Sequence, residues 1–159
     1  MHISIPNTYN TKKRNKSMNL NSYTNQTDYG PNPYVTNVEH MAIQNQNFRT
    51  AIWTGSHMQA TLMCIPTCGE IGLEIHPSID QFIRIEQGCA IVTIGKSKNC
   101  MDFRQNMSKN DAVFIPAGNW HNIMNVGKQT LKLSVIYAPP NHPKGTIHRT
   151  KTNAEISHY

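Results

Sequence analysis

The chain has 159 residues, 38% of them hydrophobic, and a formal net charge of +6 at pH 7, which leaves room for one domain and little more. Much of that charge lies in Lys12, Lys13, Arg14 and Lys16 and in Lys144, Arg149 and Lys151, while residues 38–141 are nearly neutral; this argues against nucleic acid as a partner, because a binder carries its charge on the folded face that meets phosphate. No apolar run approaches the ~20 residues that span a bilayer, and no apolar stretch follows the basic N-terminal residues, so no membrane partner and a cytoplasmic location are expected.

Residues 1–37 are rich in Asn, Thr, Ser, Tyr and Lys and nearly free of aliphatic periodicity. Such a segment buries too little apolar surface to offset its ordering entropy, and a flexible, disordered leader is predicted. Met18 is a second candidate start within it. From Phe48 the texture changes to short β-rich runs: FRTAIWTG, MQATLMCI, IGLEIH, QFIRIEQG, AIVTIG, AVFIPAG, WHNIMNVG and LKLSVIYAPP. Many alternate apolar and polar residues, and glycines at 69, 72, 88, 95, 118 and 127 punctuate them. Evenly spaced short strands with turn signals predict an all-β domain over residues 38–141, a sandwich or barrel. Pro139 and Pro140 end the last strand, because neither can donate to a ladder. Residues 142–159 read as a short irregular tail with at most one helical turn, capped by Thr152 or Asn153, that can fold back over the barrel.

Cys64, Cys68, Cys89 and Cys100 are expected to be reduced and to serve as small buried side chains. Cys64 and Cys68 form C-x3-C, but no second pair completes a thiolate zinc site.

The stretch EIHPSIDQ, Glu74 to Gln81, carries the chemistry. Side chains two apart on a strand share a face, so Glu74 and His76 point together, with Ile75 opposed to them. Pro77 and Ser78 predict a turn that returns Gln81 beside them across one antiparallel pair, with Ile83 and Ile85 on Gln81's face. Forty residues on, IPAGNWHN offers a Pro-Ala-Gly turn and then His121 at the start of another strand. Two imidazoles, one carboxylate and one amide oxygen suit a divalent transition ion. A histidine in a strand is more commonly a hydrogen-bonded structural residue, whereas a carboxylate within IGLEI is rarely buried unless paired or metal-bound. Spacing alone leaves both readings open.

The two segments resemble the paired motifs of the cupin superfamily. The first family pattern is G-x5-H-x-H-x4-E-x6-G, and Glu74-x-His76-x4-Gln81-x6-Gly88 reproduces its spacing. The second is G-x5-P-x-G-x2-H-x3-N, matched by Pro116-x-Gly118-x2-His121-x3-Asn125. The resemblance covers about residues 48–139 and implies a single jelly-roll barrel holding one metal through Glu74, His76, Gln81 and His121. The departures are Glu74 for a His, Gln81 for a Glu, and Cys68 and Asn110 at the opening glycines. Every replacement at a ligand position can still coordinate, and the carboxylate lost at 81 reappears at 74. Mn, Fe, Zn and Ni all remain open.

The resemblance leaves three functions standing. The metal is a Lewis acid on a small sugar-like or carbonyl compound, in isomerase or lyase chemistry like that of phosphomannose-isomerase-type cupins. Alternatively, Glu74, His76 and His121 form an iron triad of a dioxygenase, or the barrel is a non-catalytic module that binds or senses a small ligand. A phosphorylated substrate calls for Arg49, Lys132, Lys144 or Arg149 at the mouth, whereas Ile83, Ile85, Val113 and Ile115 suit a less polar one. Asp80 is read as a turn residue sooner than a base. Trp120 is either a pocket wall or packing, and Tyr137, His142 and His148 are either a lid or structural. Cupin barrels often pair through an exposed sheet, and an outward stripe of Phe82, Arg84 and Glu86 predicts a homodimer.

Overall fold

Strand alternation places Gln81, Ile83 and Ile85 on one face of their strand, and the computed structural model, which describes residues 27–156, buries all three. The elements in chain order are α1 (Val38–Gln44), β1 (Arg49–Thr54), β2 (Gln59–Ile65), β3 (Glu74–Ile75), β4 (Asp80–Gln87), β5 (Cys89–Gly95), β6 (Phe103–Ser108), β7 (Ala112–Ile115), β8 (Trp120–Asn125), β9 (Leu131–Ala138), β10 (Ile147–His148) and α2 (Lys151–Ile156). They form two antiparallel sheets, a six-stranded one ordered β10-β1-β2-β9-β4-β7 and a four-stranded one ordered β3-β8-β5-β6. The expected all-β jelly-roll barrel is what the chain forms.

Register decides what lines the interior, because directly paired residues share a face. In the larger sheet Tyr137 pairs with both Gln59 and Gln81, and Gln81 pairs with Ile115. The next inward row is Thr61, Val135, Ile83 and Val113. Arg49 pairs with Met63 on one side and His148 on the other, so it too points inward. Met63, Ile65, Ile83, Ile85, Leu131 and Leu133 fill one end of the barrel with Val92 and Ile123 of the smaller sheet. The polar residues crowd the other end.

The outer face of the larger sheet is covered too. α1 begins at Asn37, whose side-chain oxygen accepts the His40 N–H at 2.9 Å. Its Ala42 packs with Ile52 and Leu62 in a second small core. Lys132 lies under the end of this helix, and its Nζ donates to the Asn45 carbonyl. Glu86 lies buried on the same outer face, bonded to Ser134 Oγ at 2.6 Å and paired with Arg84. The expected outward stripe is thus interrupted: of its three residues, Glu86 is 1% exposed.

Several further expectations change. Residues 1–26 of the leader lie outside the described residues, but residues 27–37 belong with the barrel. Asp28 accepts hydrogen bonds from Gly30 N (3.0 Å), Thr54 Oγ1 (2.6 Å) and Gly145 N (2.9 Å), which ties this segment to β1 and to the tail. The tail is more regular than predicted. β10 extends the larger sheet, and α2 is capped two or three residues earlier than expected, by Thr150, whose Oγ1 accepts from Asn153 N while Asn153 Oδ1 accepts from Thr150 N. β6 is an additional edge strand whose only buried residue is Met107. The cysteines are free, as expected, but Cys68, Cys89 and Cys100 are exposed and Cys64 is half-buried. Among the described residues no helix is long and apolar enough to cross a membrane.

Candidate metal centre

Glu74 and His121 face each other in the β3–β8 ladder, and Ile75 pairs with Trp120 beside them. The chain then turns at Pro77–Ser78 and crosses to the other sheet, where Gln81 lies on β4 between Tyr137 and Ile115. The expected β3–β4 antiparallel pair is therefore corrected: Glu74 and His76 approach from the smaller sheet and Gln81 from the larger. A two-residue β3 explains this, since it is too short to feed a hairpin and is held by β8 alone.

The two motif turns are joined. Gly118 N donates to His76 O at 2.8 Å, and Ala117 N donates to Asp80 Oδ1 at 2.9 Å. Gly118 has φ 75°, a left-handed conformation that a side chain strains. Asp80, expected in the turn, instead opens β4, from where its side chain holds the turn of the second motif. Asn125 clamps the end of the second motif, its amide donating to the carbonyls of Ile65, Pro66 and Gln129. Trp120 alternates with His121 away from the site and lies under Lys98, whose Nζ is 4.6 Å from its ring centroid.

The geometry brings one ligand atom each from Glu74, His76 and His121 within 4.8 Å of one another. His121, 1% exposed, has Nδ1 3.1 Å from the Asn119 carbonyl. A carbonyl only accepts, so Nδ1 carries a proton and Nε2 is the ring nitrogen turned inward. That Nε2 is 3.3 Å from Glu74 Oε1, and His76 Nε2 is 3.4 Å from the same oxygen. Lone pairs of nitrogen and carboxylate oxygen that face one another require a cation between them, either protons or a metal ion. Burial opposes ionisation of Glu74, but the adjacent His121 and His76 side chains prevail and hold its carboxyl well below the usual range. The Gln81 amide, 3% exposed, has no hydrogen-bond partner at either atom, and His76 Nε2 has none either. Buried groups without partners are uncommon. This donor set, two imidazoles, one ionised carboxylate and one free amide, fits a divalent ion.

Of the basic residues considered for the mouth, only Arg49 enters the barrel. Lys132 is on the outer face and Lys144 Nζ donates to Gly30 O. Arg149 contributes its carbonyl to Phe48 N. Tyr137 is fully buried, its ring edge-on to His76 at 5.7 Å and to His142 at 5.2 Å. Burial pushes its phenol above the ordinary value, with Arg49 opposing and the Glu74 charge adding to the rise. His142 is held by its backbone, donating to Gln59 Oε1 and accepting from Gln59 Nε2. The sequence reading missed Thr61, whose buried hydroxyl has no hydrogen-bond partner. Its position two residues after Gln59 on an alternating strand is the one signal that could have found it.

Comparison with known proteins agrees with this geometry. The profile of the Cupin domain family matches residues 61–137, which include all four candidate ligands. The chain is 55% identical over 127 residues to the uncharacterized protein YrkC of Bacillus subtilis (strain 168), covering 80% of this chain and 68% of YrkC. It is 42% identical over 115 residues to the uncharacterized protein L612 of Acanthamoeba polyphaga mimivirus, covering 72% of this chain and 70% of L612. The crystal structure of BH2720 from Bacillus halodurans superimposes with a TM-score of 0.81 at 48% identity, covering 82% of this chain and 98% of BH2720. With the barrel, the two linked motif turns and the family profile in agreement, the chain belongs to the cupin superfamily.

Proposed function

We propose that Glu74, His76, His121 and Gln81 hold one divalent transition metal ion, and that the protein acts on a small sugar-like or carbonyl compound in isomerase or lyase chemistry. The observation that carries this reading is His121: its Nδ1 is committed to Asn119 O, so its Nε2 is the nitrogen left to face the Glu74 carboxylate, at 3.3 Å. Bound there, the ion would act as a Lewis acid that polarises a carbonyl or hydroxyl oxygen. Asn119 fixes the His121 tautomer, and Gly118 and Asp80 fix the turn that carries it. Tyr137 stays protonated, so its hydroxyl serves as a hydrogen-bond donor to substrate oxygen and not as a base. The apolar inner wall of Ile83, Val113 and Ile115 limits water around the reacting group.

The second reading is an iron-dependent dioxygenase, favoured by the Glu74, His76 and His121 set, since two histidines and one carboxylate form the facial triad of such enzymes. Without turnover, the same site would bind or sense a small ligand. Metal analysis by mass spectrometry of tagless wild type and His121→Ala separates these readings. Near-stoichiometric Mn, Zn or Ni that the variant loses supports the first, after which isomerisation of sugar and carbonyl substrates is assayed. Iron moves the reading to oxygen chemistry, and no metal after loading with each ion overturns both. We further propose a cytoplasmic location and a homodimer, the latter through the exposed Phe114 beside Phe82 on the outer sheet face.

A further inference from the structure

Arg49 is a buried cation without an anion. It is 2% exposed, its Nε has no hydrogen-bond partner, and among the described residues no carboxylate pairs with it. Its guanidinium lies 5.5 Å from the Phe48 ring centroid, and Nη1 is 3.5 Å from His148 Nδ1. These neighbours hold the plane of the group but do not neutralise it. Leaving a buried charge with no counter-ion is strongly unfavourable, and an anion that reached it would relieve that cost.

The surroundings point to what that ligand is. A cavity of about 350 Å³ is lined by Arg49 and by Glu74, the one candidate ligand that reaches it, with Glu70, Lys151 and Glu155 on its other side. Tyr137 is the register partner of Gln81, its buried hydroxyl has no partner in hydrogen-bond geometry, and Arg49 is near enough to oppose the rise of its phenol. Thr61 adds another unpartnered buried hydroxyl, and its strand neighbour across the ladder is Ala51, two residues along β1 from Arg49. One planar guanidinium with a free Nε–H, flanked by neutral hydroxyls, matches the two oxygens of a carboxylate. A phosphoryl dianion needs a second cation, and Lys151, the other cation of this cavity, is paired with Glu70 at 3.3 Å.

We propose that Arg49 is the residue that recognises substrate, and that the substrate is a small organic acid whose carboxylate binds Arg49 and the Tyr137 hydroxyl. This inference rests on the metal-centre reading for the placement of the remainder of the molecule, an oxo or hydroxy carbon turned toward Glu74, His76 and His121.

The test is calorimetric titration of wild type, Arg49→Met and Arg49→Lys with glycolate, pyruvate and malonate, with methyl pyruvate as the uncharged counterpart and inorganic phosphate as the other anion. Metal content is measured on the same samples. Wild type is expected to bind at least one carboxylate below about 10 mM, and Arg49→Met to weaken it on the order of 30-fold or more with unchanged metal content. Arg49→Lys keeps the charge but not the fork, and is expected to weaken carboxylate about tenfold while leaving methyl pyruvate unaffected. Should Arg49→Met fail to fold, the Lys variant decides alone. No carboxylate binding in wild type, equal binding by Arg49→Lys, equal affinity for methyl pyruvate, or Arg49-dependent binding of phosphate alone each overturns the proposal. Arg49-dependent carboxylate binding in a protein that holds no metal sinks the metal reading and spares this one; metal without Arg49-dependent binding does the reverse.

Discussion

Glu74 and His121 are direct partners in the β3–β8 ladder, and one carboxylate oxygen of Glu74 is shared, at 3.3 and 3.4 Å, by the inward nitrogens of His121 and His76. The shared oxygen makes Glu74 the hub of the site. Glu74→Gln removes the only charge among the four candidate ligands while keeping its shape. It is expected to weaken metal binding by at least about 100-fold, measured by competition with a chromogenic chelator, while the folded spectrum is retained.

Metal removal should lower stability by mass action, because the ligands come from both sheets and converge only in the folded chain. At free metal about 100 times Kd the expected loss on chelation is about 2.7 kcal/mol. Thermal unfolding with and without chelator reads it, and His121→Ala should unfold at one temperature under both conditions.

Asp28 gives an acid-sensitive clamp away from the site. Burial works against its ionisation, but the bonds from Thr54, Gly145 and Gly30 outweigh it and set its carboxyl below the ordinary value of 3.8. A depressed folded value means stability that is present above 3.8 and is lost as pH falls through the folded value. Asp28→Asn is expected to cost about 1.5–3 kcal/mol at neutral pH. In urea unfolding the gap to wild type should close as pH drops well below 3.8.

The positions where the family motifs open with glycine hold Cys68 and Asn110, and these are the non-glycine residues with positive φ, 60° and 76°, among the described residues. The backbone has kept the left-handed turn while the sequence has lost the residue that adopts it freely. Cys68→Gly is expected to stabilise by about 1 kcal/mol, and Cys68→Ala to do nothing, as read from urea midpoints. Asn110→Gly should gain less, because Asn tolerates this conformation and its Oδ1 accepts from Arg84 Nη2 at 2.8 Å.

The proposed dimer is tested by light scattering after size exclusion. Phe114 is 74% exposed, with its ring 5.0 Å from Phe82. Phe114→Asp is expected to halve the mass with little loss of stability, and a wild-type mass of one chain removes the proposal.

What was legible in the sequence follows from how many faces of each strand are buried. β8 throughout, and β4 as far as Ile85, bury one face and read as alternation, so their inward residues, Gln81 and His121 among them, could be placed. β1 buries Arg49, Thr50, Ala51 and Ile52 in a row because α1 covers its other side, so the inward turn of Arg49 had no pattern to announce it. α1 is seven residues long, too short for a periodic signal. β6 is an edge with five exposed or solvent-facing positions around Met107 and reads as loop. Alternation also says nothing about which sheet a strand joins. Gln81 therefore reads as a neighbour of Glu74, although it approaches from across the barrel.

The hydrogen bond from Gly118 to His76, with that from Ala117 to Asp80, spans the seam between the two sheets at the one end of the barrel that is not filled by aliphatic side chains. Any breathing motion that parts the sheets there must break both before it can separate His76 from His121. The amides of Ala117 and Gly118 should therefore exchange with solvent as slowly as those of the central strands, although they lie in a turn, and the site should open only when the whole barrel does.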